Sequence, residues 1–351
     1  MKKLLLTITA ISLLVACKNE GEKKENSTVQ EASKEQVVNV YTHRHYESDQ
    51  DIFERFEKKT GIKVKVINAS ADELIQKMKM EGAQSPADVL ITVDAGRLTR
   101  AKDLELLQSI DSEILKTSIP EHLRDVDDQW FGLTKRARII AYAKDRVSPE
   151  DLSTYEDLIN KKWKGKILVR SSSNIYNQSL MASIIANDGD EFAKEWAEGI
   201  VANMGRSPKG SDRDQVKAIV AGEGDLTIVN SYYIGRMLNS PDPEEVKAAN
   251  QVGLYFPNQN DRGTHINVSG AGVAKHAPNK ENAILFIEFL ISEEAQQIFT
   301  NSNYEYPVLA NVPPVETIKN WGNFKEDDLA LVKLGENNKK AVLIFDEAGW
   351  K

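Results

Sequence analysis

VVNVYT (residues 37–42), IKVKVINA (62–69) and DVLITV (88–93) are three short runs rich in valine and isoleucine. Their branched side chains suit a pleated, half-buried backbone, so each reads as a strand. The stretches between them have a different period. Across 49–59, Ile52, Phe53 and Phe56 recur at helical spacing, Ser48 stands as an N-cap, and Gly61 ends the run. Ser70 and Glu73 have the spacing of a capping box ahead of Leu74, Ile75 and Met78. Residues 37–93 therefore spell strand, helix, strand, helix, strand, the signature of a mostly parallel sheet flanked by helices.

The same alternation continues outward. Residues 131–133, 138–142, 166–170 and 225–229 read as strands, with helices expected at 176–186, 191–203 and 211–221. Further on, 252–256 and 266–273 are strand-like and 282–299 reads as one long helix. The fold class is α/β in two lobes, each a mostly parallel sheet with helices, and a ligand cleft between them. The expected division is a first lobe of 37–137 plus 270–315, a second lobe of 138–269, and a C-terminal helical segment, 316–351, packing on the lobes.

The composition narrows the function. Of 351 residues, 41% are hydrophobic and 28% charged, too polar for a multi-span membrane protein. Acidic residues outnumber basic ones 53 to 45 and no long basic run occurs, so a nucleic-acid partner is excluded as a reading. The single cysteine, Cys17, rules out an intramolecular disulfide, a cysteine-ligated zinc site and a thiol redox pair.

Cys17 has another meaning. Lys2 and Lys3 precede a 13-residue apolar run, 4–16, that ends Leu14-Val15-Ala16-Cys17. The run is shorter than the about 20 residues a spanning helix needs. It reads as a signal peptide, 1–16, and resembles that of bacterial lipoproteins, which implies that Cys17 becomes a lipidated first residue. Cleavage there removes two lysines and leaves 43 basic against 53 acidic residues, a net charge of −10. Residues 17–36, charged and with almost nothing to bury, read as a lipid-anchored tether.

Four tyrosines stand just past the C-terminal ends of expected strands: Tyr46, Tyr176, Tyr232 and Tyr233. In open α/β sheets that edge faces the ligand crevice. A single such tyrosine is equally a half-buried aromatic with its hydroxyl bonded to backbone; four at equivalent places suggest a shared task. A hard trivalent cation stabilises deprotonated oxygen donors and draws phenols of ordinary pKa about 10 into the phenolate form. Four phenolates exceed three positive charges by one. Arg236, four residues after Tyr232 and three after Tyr233, offsets that excess or is a solvated helix charge. Arg136 and Arg138 share a strand face and read as hinge salt bridges or as contacts with an anion in the cleft. Ser171, Ser172 and Ser173 read most simply as the cap of the helix that carries Tyr176.

The stretches VNVYTHRHYESD, VDAGRL, WFGLTKRARIIAYAKD, WKGKILVRSSSNIYNQSLMAS and NSYYIGRM resemble the ferric-iron-binding proteins of bacterial ABC importers, over about residues 37–310. The resemblance implies a two-lobed periplasmic-binding-protein-like fold with Fe(3+) as transported cargo between the lobes. It implies metal ligands at Tyr46, Tyr176, Tyr232 and Tyr233, with His45 as a candidate fifth and His43 exposed or structural. Some family members add carbonate or another small anion. The implied partners are an ABC permease with its ATPase and, through the lipid anchor, the membrane; the protein is expected to be an exported monomer facing periplasm or cell exterior. The alternative is the same receptor binding a sugar, a thiamine-like cofactor or an oxyanion. An enzyme is disfavoured: there is no GxSxG elbow, no free cysteine after lipidation, and His122, His265 and His276 form no metal-binding pair.

Overall fold

The computed structural model describes residues 35–44 and 46–351. The signal peptide, Cys17 and nearly all of the tether, as well as His45, lie outside the described residues.

Among the described residues ten strands are formed: β1 (Val37–Thr42), β2 (Lys63–Asn68), β3 (Val89–Val93), β4 (Leu107–Gln108), β5 (Phe131–Ala143), β6 (Ile167–Leu168), β7 (Leu226–Asn230), β8 (Val252–Tyr255), β9 (Ile266–Ala274) and β10 (Tyr306–Pro307). The helices in chain order are α1 (Glu47–Thr60), α2 (Ala71–Glu81), α3 (Ala95–Asp103), α4 (Glu113–Ser118), α5 (Ile175–Asp188), α6 (Asp190–Asn203) and α7 (Asp212–Val220). They continue with α8 (Ser231–Leu238), α9 (Pro243–Gln251), α10 (Lys280–Leu290), α11 (Glu293–Asn303), α12 (Glu316–Lys319), α13 (Val332–Glu336) and α14 (Asn338–Glu347).

The opening β–α–β–α–β reading holds. β1 pairs in parallel with β2 and with β3, and Val40 faces Val66 on one side and Val89 on the other. Gly61 takes a left-handed φ of 75° and returns its N–H to Glu57, which stops α1. The capping box of α2 is present in both directions: Ser70 Oγ accepts from Glu73 N–H, and the Glu73 carboxylate accepts from Ser70 N–H at 2.9 Å.

Four local expectations change. Ser48 does not cap α1; the N-cap position is Tyr46, and Ser48 is buried with its hydroxyl 3.1 Å from Asn303 Oδ1. The two short strands expected at 131–133 and 138–142 are one strand, β5, because burial along its whole length favours continuing the ladder. The long helix at 282–299 is broken into α10 and α11, since Ser292 caps a new helix by accepting from Ala295 N–H at 3.3 Å. The cap of α5 is Asn174, whose Oδ1 accepts from Tyr176 N–H at 3.2 Å; Ser171 and Ser173 bond each other instead.

The protein has the two-lobed periplasmic-binding-protein fold, and its sheets are mixed rather than mostly parallel. Among the described strands, β1–β2, β1–β3 and β6–β7 are the pairs that run in parallel. The reason is β5. Its first half, to Ala137, pairs antiparallel with β9; from Arg138 onward it pairs antiparallel with β7, and from Ile140 with β8 as well. One strand thus enters two sheets, and β9 carries the chain back against β3. The main core runs under both sheets and includes Tyr41, Phe56, Phe131, Trp130 and Trp196, all with relative exposures of 1% or less. Phe56 meets Phe286 edge-on at 5.0 Å. Burying one such side chain contributes about 1.5–3 kcal/mol. At the C-terminus, α13 lies against α3 and α5, and Trp350 donates its indole N–H to Arg170 O at 2.9 Å.

Candidate functional site

Each of the four tyrosines sits at a helix start reached directly or by a short loop from a strand. Tyr46 stands four residues beyond the end of β1, at the N-cap position of α1 in extended conformation; Tyr176 is the second residue of α5, beyond β6. Tyr232 and Tyr233 are the second and third residues of α8, which begins where β7 ends. The strands fix these starts because their last residues are still in register: Asn230 pairs with Arg138, and Ala137 N–H donates to Ser231 Oγ at 3.3 Å.

The structure brings all four phenols together. The rings of Tyr232 and Tyr233 lie 4.2 Å apart, Tyr232 is buried, and Tyr46, Tyr176 and Tyr233 are half-buried. Burial raises the Tyr46 phenol above its ordinary pKa, with the Glu305 carboxylate adding to it while Arg44 pulls the other way. Burial also pushes Tyr232 well above the usual phenol range, and Tyr176, Tyr233 and Tyr46 act in the same sense. Tyr233 is raised too, by burial first and then by Tyr176 and Asp212. Phenols that oppose one another's ionisation are close neighbours. At neutral pH those three stay protonated unless a cation supplies the missing positive charge.

A ring of guanidiniums surrounds them. Arg44 Cζ lies 4.9 Å from the Tyr46 ring centre, and Arg236 Cζ lies 4.8 Å from the same ring. Arg136 Cζ is 5.7 Å from Tyr232, and Arg138 and Arg170 are each 6.0 Å from Tyr176. The helical spacing of Arg236 pointed to Tyr232 and Tyr233 on its own helix; the ring its guanidinium covers is that of Tyr46, on another element.

Carboxylates hold most of these arginines. Glu305, fully buried, accepts from Arg136 at 2.6 Å and Arg44 at 3.2 Å, and Asp49 takes a second bond from Arg44 at 3.1 Å. Asp212, also buried, accepts from Arg138 at 2.8 Å and from Arg170. Arg136 and Arg138 thus each form a buried salt bridge. Burial opposes the charge on Arg44 and Arg136, but their carboxylates, with Glu305 common to both, raise both groups above the ordinary arginine value. Glu305 is held below the usual carboxylate range: burial works against its charge, and Arg44 and Arg136 more than offset it. Among the described residues, five guanidiniums against Asp49, Glu305 and Asp212 leave two positive charges unmatched by carboxylate.

Sequence reasoning missed Glu305, Asp212, Arg44, Arg170 and Asp49. No local pattern could have found Glu305 or Asp212, which reach partners far away along the chain. Among the histidines, His43 is half-buried with its ring 3.5 Å from the Thr92 hydroxyl. His265 is fully buried and pushed down to about 3, by burial first and then by Arg138 and Arg262, so it is neutral at physiological pH. Among the described residues no three His, Cys, Asp or Glu side chains form a metal-holding group.

A family model of bacterial extracellular solute-binding proteins matches residues 51–326 of this chain. The Iron uptake protein A1 of Synechocystis sp. is 50% identical over 344 residues, covering 98% of this chain and 95% of its own length. A Trichodesmium protein solved in complex with iron and citrate ligands is 52% identical at a TM-score of 0.88, over 90% of this chain and 100% of that one. The ferric binding protein of Campylobacter jejuni is 47% identical at a TM-score of 0.85, again over 90% and 100%.

Proposed function

The chain belongs to the bacterial extracellular solute-binding proteins, and from that premise we propose that it captures ferric iron between its lobes through the phenolate oxygens of Tyr46, Tyr176, Tyr232 and Tyr233. It then delivers the ion to an ABC permease and its ATPase, without chemical turnover of its own. The observation that carries the reading is the convergence of four phenols from three separate helix starts inside a ring of arginines. A trivalent cation is the ligand that makes such an arrangement favourable, since it ionises hard oxygen donors whose burial otherwise keeps them protonated. Four phenolates around it carry one net negative charge, which the two guanidinium charges left over by the carboxylates accommodate. Relatives whose names refer to iron uptake and ferric binding support the same cargo.

An oxyanion receptor would use free guanidiniums. Here Arg44, Arg136, Arg138 and Arg170 already carry carboxylate partners, which favours the cation. The lobes in this reading are 37–137 with 270–315, and 138–269; the point where β5 passes from one sheet to the other forms the hinge, and 316–351 packs across both. Export with a lipid anchor at Cys17 completes the proposal.

The test is a Tyr232→Phe, Tyr233→Phe double variant titrated with ferric citrate. The rings and their packing remain while two donor oxygens go. The expected result is a folded protein whose visible iron–phenolate band and ferric affinity fall by orders of magnitude. A double variant with wild-type colour and affinity removes these two residues from the ligand set and most of the case for iron.

A further inference from the structure

Two of the stretches that marked this sequence, VDAGRL and NIYNQSLMAS, meet at a point the tyrosine cluster does not itself explain. The first forms the turn from β3 into α3. Its Asp94 is fully buried, has a φ of 80° although it is not glycine, and caps α3 by accepting from Gly96 N–H at 2.9 Å. Such backbone persists only where surrounding contacts over-determine it. Those contacts come from two other elements, β9 and α5. Asp94 N–H donates to Val268 O on β9, and Asn267 Nδ2, also on β9, donates to Asp94 Oδ2 at 2.8 Å. Ser179 Oγ, on α5, lies 2.7 and 2.8 Å from the two carboxylate oxygens. Among the described residues, no lysine or arginine forms an ion pair with this carboxylate.

Ser179 lies three residues past Tyr176, one turn further along α5. The start of that helix is fixed from its other side by Asn177, which accepts from Arg138 at 2.7 Å and donates to Arg170 O and Ser171 O. Gly96 lets α3 press in: a Cβ there would stand 3.1 Å from Asp94 Oδ1 and 3.8 Å from Ser179 Oγ. The first two turns of α5 are thus tied to β5 through Asn177 and to the β3–α3 turn through Ser179. Tyr46, by contrast, depends on β1 and α1, and Tyr232 and Tyr233 on β7 and α8.

We propose that Asp94, acting through Ser179, is the positioning residue that sets α5, and with it the Tyr176 phenol, against the other three tyrosines. Asp94 touches no cargo. It decides where the fourth oxygen donor stands. The inference rests on the ferric-iron reading of the cluster.

A double-mutant cycle tests it in the full-length protein loaded with ferric citrate. The variants are Ser179→Ala, Ser179→Thr, Tyr176→Phe and the Ser179→Ala, Tyr176→Phe pair. The measurements are the rate of iron loss to excess chelator and the visible band. Ser179→Ala is expected to lose iron about two- to tenfold faster, the factor carried by one net hydrogen bond, with its band moved toward that of Tyr176→Phe. Ser179→Thr keeps the hydroxyl and restores the wild-type rate. In the Tyr176→Phe background Ser179→Ala adds nothing. If Ser179→Ala fails to fold, Asp94→Asn runs the same cycle at constant side-chain size. A wild-type rate and band in the serine variant, or effects that multiply in the pair, overturn the proposal while leaving the iron site standing. A wild-type protein that takes up no iron and shows no colour overturns the ferric reading and this inference with it.

Discussion

Replacing Glu305 with glutamine deletes one negative charge from the centre of the arginine ring while leaving side-chain volume almost unchanged. Glu305 is the carboxylate that Arg44 and Arg136 share. Arg44 keeps Asp49 after the change; Arg136 keeps neutral acceptors, Ser269 Oγ and Val268 O among them, but has no carboxylate partner. One buried guanidinium therefore loses its counter-charge, and breaking a buried pair in this way costs about 3–5 kcal/mol. At about 2 °C per kcal/mol for a chain of this size, Tm should fall by roughly 6–10 °C. The pH dependence follows from the lowered pKa of Glu305, where burial opposes ionisation but Arg44 and Arg136 prevail. A carboxylate with a depressed folded-state pKa stabilises fully above its unfolded value of about 4.3 and loses that contribution as pH falls through the folded value. The gap between wild type and Glu305→Gln should be complete at pH 7 and close progressively below about pH 4. Denaturant unfolding of the metal-free proteins across that range measures it. A gap under about 0.5 kcal/mol at pH 7, or one that widens on acidification, would refute the shared-counter-ion account.

Acid should also release the metal. Tyr46, Tyr232 and Tyr233 are all raised by burial, so protons return to them readily, and affinity should drop about tenfold per pH unit for each phenol that ionises on binding. A colour titration that stays flat under acidification contradicts phenolate ligation. At the other end of the chain, Cys17→Ala should move the protein from the membrane fraction to the soluble fraction, and a variant that still sediments with membranes rules out lipidation at that residue.

Much of this protein is legible in its sequence. The periods of 2 and 3.6 across residues 37–93, the capping box at Ser70 and Glu73, and the tyrosines placed just past strand ends depend on neighbours within a turn or two, which a linear reading contains. The resemblance to ferric-binding receptors rests on the same local stretches. What tertiary structure decided begins where partners are distant. Arg136 and Arg44 find Glu305 across 169 and 261 residues, and Arg138 finds Asp212 across 74. The direction of each ladder was likewise outside local reach: β5 is one strand because its neighbours β9, β7 and β8 continue it from either end, and their return paths make the sheets mixed. Arg236 covers Tyr46 rather than a tyrosine of its own helix for the same reason. Periodicity and capping are energies of adjacent residues, whereas the pairing of buried charges and the order of strands minimise desolvation and unpaired backbone over the whole fold, and only the assembled chain defines those terms.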